Sequence, residues 1–276
     1  MKGLIIKSIS GDYTIDINGE YFICKPIGLF RHQGIVPKVG DLVSIENGKI
    51  SKVHDRKNDL VRPFVSNVDK VFIMTSIVEP DLNTNLLDRI ITMAEYANIS
   101  IVLVFTKLDL VKNEEYKTIT EYYKTLGYPV YYLPNDSDKI IDEIDGCICV
   151  VAGQSGVGKS TMINRFNPNF MIKTDEISFA LNRGKHTTRH TELLKVGNGY
   201  VADTPGFGTL DLEMDALSLS QCFVEFFQTK CRFSKCLHLA EPGCNVKEKV
   251  NNDEILKSRY DNYVLFSNEI KKNKKY

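Results

Sequence analysis

The composition of the chain is that of a folded globular protein: 276 residues, 43% hydrophobic and 25% charged, which is room for about two domains. The formal net charge is zero, but residues 1–62 and 247–276 each carry an excess of Lys and Arg, so nucleic acid is not excluded as a partner. No apolar run approaches the roughly 20 residues of a membrane span, and no secretory signal begins the chain. We therefore expect a cytoplasmic protein, in which seven cysteines indicate metal binding before disulfides.

Residues 1–62 are predicted to form an RNA-binding β-barrel of the oligonucleotide/oligosaccharide-binding (OB) type. Asn18-Gly19 and Asn47-Gly48 are strong hairpin signals between short strand candidates at 3–8, 13–17, 21–24, 41–46 and 49–53. Between the third and fourth strands, Phe30 and Arg31 are predicted to lie in a loop that stacks on bases and touches phosphates. An ordinary barrel loop explains the same residues equally well.

Residues 63–212 are predicted to form an α/β domain. After a charged connector at 55–66, strand candidates alternate with helix candidates: strands at 71–74, 101–105, 130–133 and 147–152, helices at 85–96 and 113–125. Such alternation predicts a parallel sheet with right-handed crossovers. Residues 173–191 are polar and irregular, and a further strand is predicted at 200–202.

A phosphate-binding loop is predicted between the strand at 147–152 and a helix that opens at Thr161. The pattern G-x-x-x-x-G-K-[ST] needs this context, which makes a ligand-free glycine turn the weaker explanation. Backbone N–H groups and the helix N-terminus would surround a polyphosphate, with Lys159 on the β- and γ-phosphates and the Ser160 hydroxyl on Mg²⁺. The predicted binding residues are Gly153, Gln154, Ser155, Gly156, Val157, Gly158, Lys159, Ser160 and Thr161.

Two further elements indicate that the ligand is a guanine nucleotide. Residues 203–206 form a D-x-x-G element, in which Asp203 bonds a Mg²⁺-bound water and the Gly206 N–H meets the γ-phosphate. Thr106, Lys107 and Asp109 match the guanine-reading [NT]-K-x-D element. The Asp109 carboxylate would accept hydrogen bonds from the ring N–H and the exocyclic amine of guanine, and the aliphatic stem of Lys107 would cover the base. An exposed turn without ligand remains an alternative, and the carboxylate argues against an ATP-using enzyme.

The order of these elements predicts a circularly permuted GTPase. In ordinary GTPases the guanine-reading element follows D-x-x-G, whereas here it precedes the phosphate loop. A permutation leaves the binding crevice at the carboxyl ends of the strands usable. It also places D-x-x-G directly before the C-terminal region, so that a change of nucleotide state there could move that region.

Residues 213–276 are predicted to form a helical zinc-binding domain, with helices at 215–228 and 254–270. Three thiolates and an imidazole within fourteen residues suit a tetrahedral structural Zn²⁺ site: Cys231, Cys236, His238 and Cys244. Separate reduced cysteines are the alternative. Four cations of the tail are predicted to contact RNA phosphates: Lys247, Lys249, Lys257 and Arg259.

Together these motifs resemble the circularly permuted, ribosome small-subunit-dependent GTPases of the RsgA (YjeQ/YloQ) type. The resemblance runs along the whole chain through residues 37–41, Arg62-Pro63, 67–69, 106–109, 153–161, 184–188, 203–207 and 231–244. It implies an OB domain, a permuted GTPase and a zinc domain. It further implies GTP hydrolysis to GDP stimulated by the small ribosomal subunit and its rRNA, in late maturation of that subunit.

The resemblance also implies which residues act on the reaction. Phe207 stands where most regulatory GTPases have glutamine, and the family's switch histidine matches His186. A phosphate-facing or RNA-facing role without catalysis is the alternative for His186. Thr187 or Thr188 would bind Mg²⁺. The element that contacts the guanine carbonyl is best matched by residues 134–137. We expect a monomer without membrane contact; an RNA-binding assembly module that uses GTP only as a conformational ligand is the second hypothesis.

Overall fold

A computed structural model describes residues 1–60, 63–112, 114–166, 192–203 and 211–273. The chain divides into two units, one made of residues 1–72 and 137–207 and the other of residues 73–136 and 208–276. The three-domain division at residues 62 and 212 remains a prediction beside these units. Within the described ranges, no helix combines the length and apolar composition that crossing a bilayer requires.

Between residues 70 and 166 strands and helices alternate as the sequence predicts, with one helix, Ser137–Ile144, that it did not predict. The strands in the described ranges are β1 (Lys2–Ile9), β2 (Asp12–Ile17), β3 (Glu20–Pro26), β4 (Leu42–Glu46), β5 (Lys49–Val53), β6 (Lys70–Ser76), β7 (Ser100–Thr106), β8 (Val130–Tyr132), β9 (Ile148–Gly153), β10 (Glu192–Val196) and β11 (Gly199–Asp203). The helices there are α1 (Leu29–Gln33), α2 (Thr84–Tyr96), α3 (Tyr116–Thr125), α4 (Ser137–Ile144), α5 (Lys159–Phe166), α6 (Ala216–Gln221), α7 (Val224–Phe227), α8 (Asn245–Asn251) and α9 (Lys257–Asn273).

The five N-terminal strands close into the predicted OB-type barrel. β1 pairs with β2, β2 with β3, β3 with β5, β5 with β4, and β4 with β1, and only the β3–β5 pairing is parallel. Asn18 and Gly19 have φ values of 54° and 92°, the left-handed pair that a tight hairpin turn needs. Ser10 and Gly11 make a similar turn, with φ values of 51° and 88°, although Ser-Gly is the weaker signal. The barrel prediction is confirmed.

The predicted stacking loop of the barrel is wrong. Residues Leu29–Gln33 form the short helix α1, and the Phe30 side chain is only 4% exposed. Burying a phenylalanine ring stabilises the fold by roughly 1.5–3 kcal/mol, so this ring belongs to the core and is not available to a base. Arg31 and His32, in the last turn of α1, remain exposed.

The motif at residues 37–41 ties the barrel to the connector that follows it. The Asp41 carboxylate is fully buried and accepts hydrogen bonds from Arg56 Nε at 2.7 Å, Arg56 Nη2 at 2.8 Å and Ser66 Oγ at 2.6 Å. Gly40 has φ 91°, and a Cβ there would lie 2.1 Å from the Ser66 carbonyl oxygen. This close backbone approach requires glycine, so the motif has a structural role.

In the first unit, the barrel shares a sheet with the strands around the phosphate loop. The strand order is β2-β3-β5-β4-β1-β10-β11-β9. β11 is parallel to β9, whereas β10 is antiparallel to both β11 and β1. The sequence did not predict β10, which lies at 192–196, directly after the polar stretch.

In the second unit, α2 presents a buried apolar face at Leu87, Ile90, Ile91 and Ala94, as its periodicity predicts. Strand β8 pairs in parallel with β7. The single helix predicted at 215–228 is instead two, α6 and α7, because Phe223 is extended, with φ −94° and ψ 97°. The core around Phe223 includes Phe226, Tyr263 and Phe266 from α7 and α9.

A buried ion-pair network joins α2, α3, α7 and α9. Arg259 is fully buried and donates to Glu225 Oε1 at 2.8 Å, Glu225 Oε2 at 3.0 Å and Asp88 Oδ1 at 2.8 Å. Asp88 also accepts from Tyr123 Oη at 2.5 Å and Asn262 Nδ2 at 2.6 Å. The predicted phosphate contact of Arg259 is therefore wrong, because its guanidinium is consumed by carboxylates in the core.

Candidate nucleotide-binding and metal sites

The phosphate loop lies between the end of β9 and the start of α5, as predicted. Gly153, Gly156 and Gly158 have φ values of 144°, 81° and 96°, in the region that side chains other than glycine's disfavour. The first turn of α5 is closed by a hydrogen bond of 2.9 Å from Met162 N to Gly158 O. Val157, a residue of the loop, is buried. These glycines allow the loop backbone to turn around an anion at a helix N-terminus.

Lys159 provides the charge of this loop. Its ammonium donates to Gly153 O at 2.8 Å and to Gln154 O at 2.6 Å. Burial lowers its pKa to about 8, because a desolvated ammonium disfavours its charged form. Phosphate oxygens would stabilise that charge, so the side chain fits a polyphosphate ligand. Ser160 is the next residue, in the first turn of α5, and is 8% exposed.

The D-x-x-G strand ends at the same sheet edge as the phosphate-loop strand. Tyr200 pairs with Ile148 and Ala202 with Val150 in parallel register. The two strands therefore run in one direction, β9 into the loop and β11 to its last residue, Asp203. Gly206 lies outside the described residues, as do the three predicted switch residues: His186, Thr187 and Thr188. Their roles stay predictions.

The guanine-reading element lies at the end of β7. Thr106 is 6% exposed, and Lys107 has a left-handed φ of 61° and donates to the Glu79 carbonyl. Asp109 follows in a short 3-10 turn and is exposed, so its carboxylate is accessible to a base. The phosphate loop belongs to the first unit and this element to the second. Their convergence on one nucleotide stays a prediction.

Residues 134–136, which belong to the candidate for the guanine carbonyl, follow the neighbouring strand. Phe105 pairs with Tyr132 in parallel register, and Leu133 N donates to Phe105 O at 2.9 Å. The segment therefore begins at the same strand ends as the guanine-reading element. Asp136 Oδ2 accepts from Tyr132 N at 2.8 Å, so this carboxylate closes its own turn.

The four predicted zinc ligands lie together, with their donor atoms within 4.8 Å of one another. Cys244 Sγ lies 3.4 Å from His238 Nδ1, 3.8 Å from Cys236 Sγ and 3.9 Å from Cys231 Sγ. A tetrahedron with zinc–sulfur bonds of about 2.3 Å has edges of about 3.8 Å. The arrangement therefore fits Zn²⁺ with four protein ligands, the coordination typical of structural zinc sites.

Residues around these ligands hold their backbone in place. The Glu241 carboxylate accepts from Leu237 N at 2.8 Å and from Leu239 N at 2.9 Å, and Tyr260 donates to His238 O at 2.7 Å. Burial lowers the pKa of His238 and raises that of Cys236 to about 12, so zinc would displace a thiol proton when it binds. The sequence did not reveal Glu241 or Tyr260, because supporting residues have no fixed spacing.

Comparison with known proteins gives the same assignment along the whole chain. The family model of the RsgA N-terminal domain matches residues 2–52, and that of the RsgA GTPase matches residues 53–213. The chain is 43% identical to the small ribosomal subunit biogenesis GTPase RsgA of Staphylococcus aureus (strain MRSA252), covering 99% of this chain and 98% of that protein. It is 42% identical to RsgA 2 of Oceanobacillus iheyensis, with the same coverage.

Two solved structures resemble the whole fold. The crystal structure of YloQ, described as a circularly permuted GTPase, has a TM-score of 0.83 at 34% identity and covers 99% of this chain and 95% of its own. That of YjeQ from Thermotoga maritima has a TM-score of 0.82 at 34% identity and covers 97% of each chain. With its barrel, its phosphate loop and its cysteine–histidine cluster, the chain belongs to the RsgA GTPase family.

Proposed function

We propose that this protein is a GTPase that hydrolyses GTP to GDP and phosphate, is stimulated by the small ribosomal subunit and acts in late maturation of that subunit. The observation that carries the proposal is the shared sheet edge at which β9 enters the phosphate loop and β11 ends at Asp203. The similar proteins of Staphylococcus aureus and Oceanobacillus iheyensis are named small ribosomal subunit biogenesis GTPases, which supports the small ribosomal subunit as the partner. The reaction would take place in the cytoplasm, where bacterial ribosomes are assembled.

In this proposal each part of the site has a separate task. Residues 153–161 bind the phosphates, with the Lys159 ammonium neutralising charge on the β- and γ-phosphates. Asp109 accepts from guanine, and Lys107 covers the base. Ser160 and Thr187 or Thr188 would bind Mg²⁺, and Asp203 would bond a Mg²⁺-bound water. The ion, when bound, neutralises the charge that develops during phosphoryl transfer. His186 orients the attacking water.

A basic and aromatic loop beside the zinc ligands supports an RNA partner. Residues 226–240 contain no Asp or Glu, and they expose the cations Lys230, Arg232 and Lys235. Phe227 is 70% exposed and Phe233 44% exposed, with the Arg232 guanidinium 5.7 Å from the Phe233 ring centroid. Exposed aromatic rings flanked by cations suit unpaired bases and their phosphates.

The tail cations predicted to contact RNA make other interactions. Lys257 pairs with Asp261 at 2.6 Å, and Lys247 donates to Leu239 O at 3.2 Å. Arg259, in addition, is buried and bonded to Glu225 and Asp88. We therefore assign RNA contact to residues 227–235 in place of Arg259. The zinc ligands would hold this loop in shape.

Phosphate release from GTP, measured with and without purified small subunits, tests the function. We expect strong stimulation, and its absence despite subunit binding would instead support an assembly module that uses GTP as a conformational ligand. The Lys159→Met variant should no longer release phosphate from GTP. The control Lys112→Met, at an exposed lysine, should release it like the wild type.

Guanine recognition is tested separately with Asp109→Asn. An amide oxygen can still accept from the ring N–H, but its NH₂ group must face an acceptor. The variant should therefore lose affinity for GTP and gain affinity for xanthosine triphosphate, which carries an oxygen in place of the exocyclic amine. Unchanged preference for GTP over ATP in this variant would contradict the assignment.

A further inference from the structure

The hairpin of β10 and β11 carries two parts of the proposed nucleotide site at its ends. β10 begins at Glu192, four residues after the last predicted switch residue, Thr188, and β11 ends at Asp203. β11 is held on one side by β9, the strand that enters the phosphate loop. The position of this hairpin therefore determines where both ends lie relative to the loop.

The other side of the hairpin is held by the barrel. Lys7 of β1 pairs with Glu192 of β10, and their side chains form an ion pair of 2.8 Å. The Tyr200 hydroxyl donates to Asp16 Oδ2 on β2 at 2.6 Å, and Lys195 Nζ lies 3.7 Å from the same oxygen. Two contacts from barrel strands thus fix the two strands of the hairpin.

The contact at Asp16 is the stronger of the two. The side chains of Lys7 and Glu192 are 33% and 41% exposed, and exposed ion pairs contribute little. The Asp16 side chain is 4% exposed and also accepts from Gly19 N at 2.7 Å, in the turn between β2 and β3. Burial opposes ionisation of Asp16, but the bonds from Tyr200 and Gly19 and the charge of Lys195 outweigh it and lower its pKa. One ionised carboxylate thus joins the barrel turn to the hairpin.

We propose that Asp16 is a positioning residue for the nucleotide site, acting through Tyr200 and β11 on Asp203. Tyr200 and Asp203 are three residues apart on one strand, a separation of about 10 Å. Because a paired strand does not bend freely, a shift at Tyr200 is carried to Asp203. The inference rests on the proposed function. It would connect an RNA bound to the barrel with the nucleotide through Asp16, Tyr200 and β11.

The test uses the full chain and needs no ribosome. GTP affinity is titrated with and without Mg²⁺ for the wild type, Tyr200→Phe and the control Tyr96→Phe, a half-exposed tyrosine at the end of α2. Tyr200→Phe removes only the hydroxyl that bonds Asp16. We expect its gain in affinity from Mg²⁺ to fall about fivefold or more, with metal-free affinity unchanged and the control like the wild type.

A second variant separates positioning from general damage. In Asp16→Asn the amide oxygen can still accept from Gly19 N, and the NH₂ group can donate to the Tyr200 hydroxyl, but the charge that attracts Lys195 is lost. We therefore expect a smaller loss than in Tyr200→Phe, which has no hydroxyl. An unchanged Mg²⁺ gain in Tyr200→Phe would overturn the inference, and so would an equal loss of metal-free affinity, which indicates a disturbed loop. A wild type that binds no GTP would refute the proposed function itself, an outcome distinct from both.

Discussion

Replacing Arg259 by methionine should strongly destabilise the second unit. The guanidinium and the Asp88 carboxylate are both fully buried, and the Glu225 side chain is 6% exposed. Removing the cation leaves two carboxylates in the core without the guanidinium that pairs with both. Loss of one partner of a buried ion pair costs roughly 3–5 kcal/mol, a large part of the roughly 5–15 kcal/mol by which domains are stable.

The matched control is Lys257→Met, two residues earlier on α9. Lys257 pairs with Asp261 at 2.6 Å, but the two side chains are 77% and 53% exposed. Exposed pairs of this spacing contribute about 0.3–0.5 kcal/mol, so the control should unfold almost like the wild type. Urea unfolding with zinc present, followed by circular dichroism, gives both free energies of unfolding.

The reasoning is refuted if Arg259→Met costs less than about 1 kcal/mol, since burial of two unpaired charges could not then be so mild. Should this variant not accumulate as folded protein, Arg259→Lys provides the measurement. Lysine keeps the charge but not the planar fork that reaches Glu225 and Asp88 together, so its loss should be intermediate.

Three further predictions concern the barrel, the phosphate loop and the metal site. In urea unfolding, Gly40→Ala should lower the free energy of unfolding by about 2 kcal/mol more than Gly11→Ala does. Both glycines have positive φ, but only a Cβ at residue 40 would meet the Ser66 carbonyl oxygen, at 2.1 Å. Equal losses would contradict the close approach. GTP affinity should be constant below pH 8 and fall above it, because Lys159, with a pKa of about 8, then loses the proton that bound phosphates favour. If the GTP affinity of Lys159→Arg falls equally over the same pH range, another group causes the effect. Cys244→Ser should lower both zinc content and melting temperature, since its sulfur lies within 3.9 Å of all three other donor atoms; a variant that melts like the wild type would refute a structural role of the metal.

The sequence predicts the structure well wherever neighbouring residues alone determine the local conformation or the ligand set. Asn18-Gly19 predicts its turn because both residues tolerate positive φ. The glycines around Lys159 predict the phosphate loop because the strand and helix needed beside them are visible in the periodicity. The spacing from Cys231 to Cys244 likewise predicts the ligand set, which the structure brings within bonding geometry.

The sequence is least informative where partners come from far along the chain. The sequence around Arg259 is that of a surface cation, because the Asp88 carboxylate that accepts from its guanidinium lies 171 residues away. Phe30 is next to exposed cations in sequence yet faces the core. Strand β10 is five residues long and pairs with β1 of the barrel as well as with β11, so no local pattern distinguishes it from the polar stretch before it.

The contact of Asp41 with Arg56 and Ser66 limits how the protein can be dissected. The carboxylate lies on one side of the boundary between the two family models, at residues 52 and 53, and its donors lie on the other. A truncated chain that starts after the barrel would leave Arg56 and Ser66 without this acceptor, and the barrel alone would carry an uncompensated carboxylate. Fragment experiments that cut at the family boundary would therefore report the consequences of the cut as well as the properties of each domain.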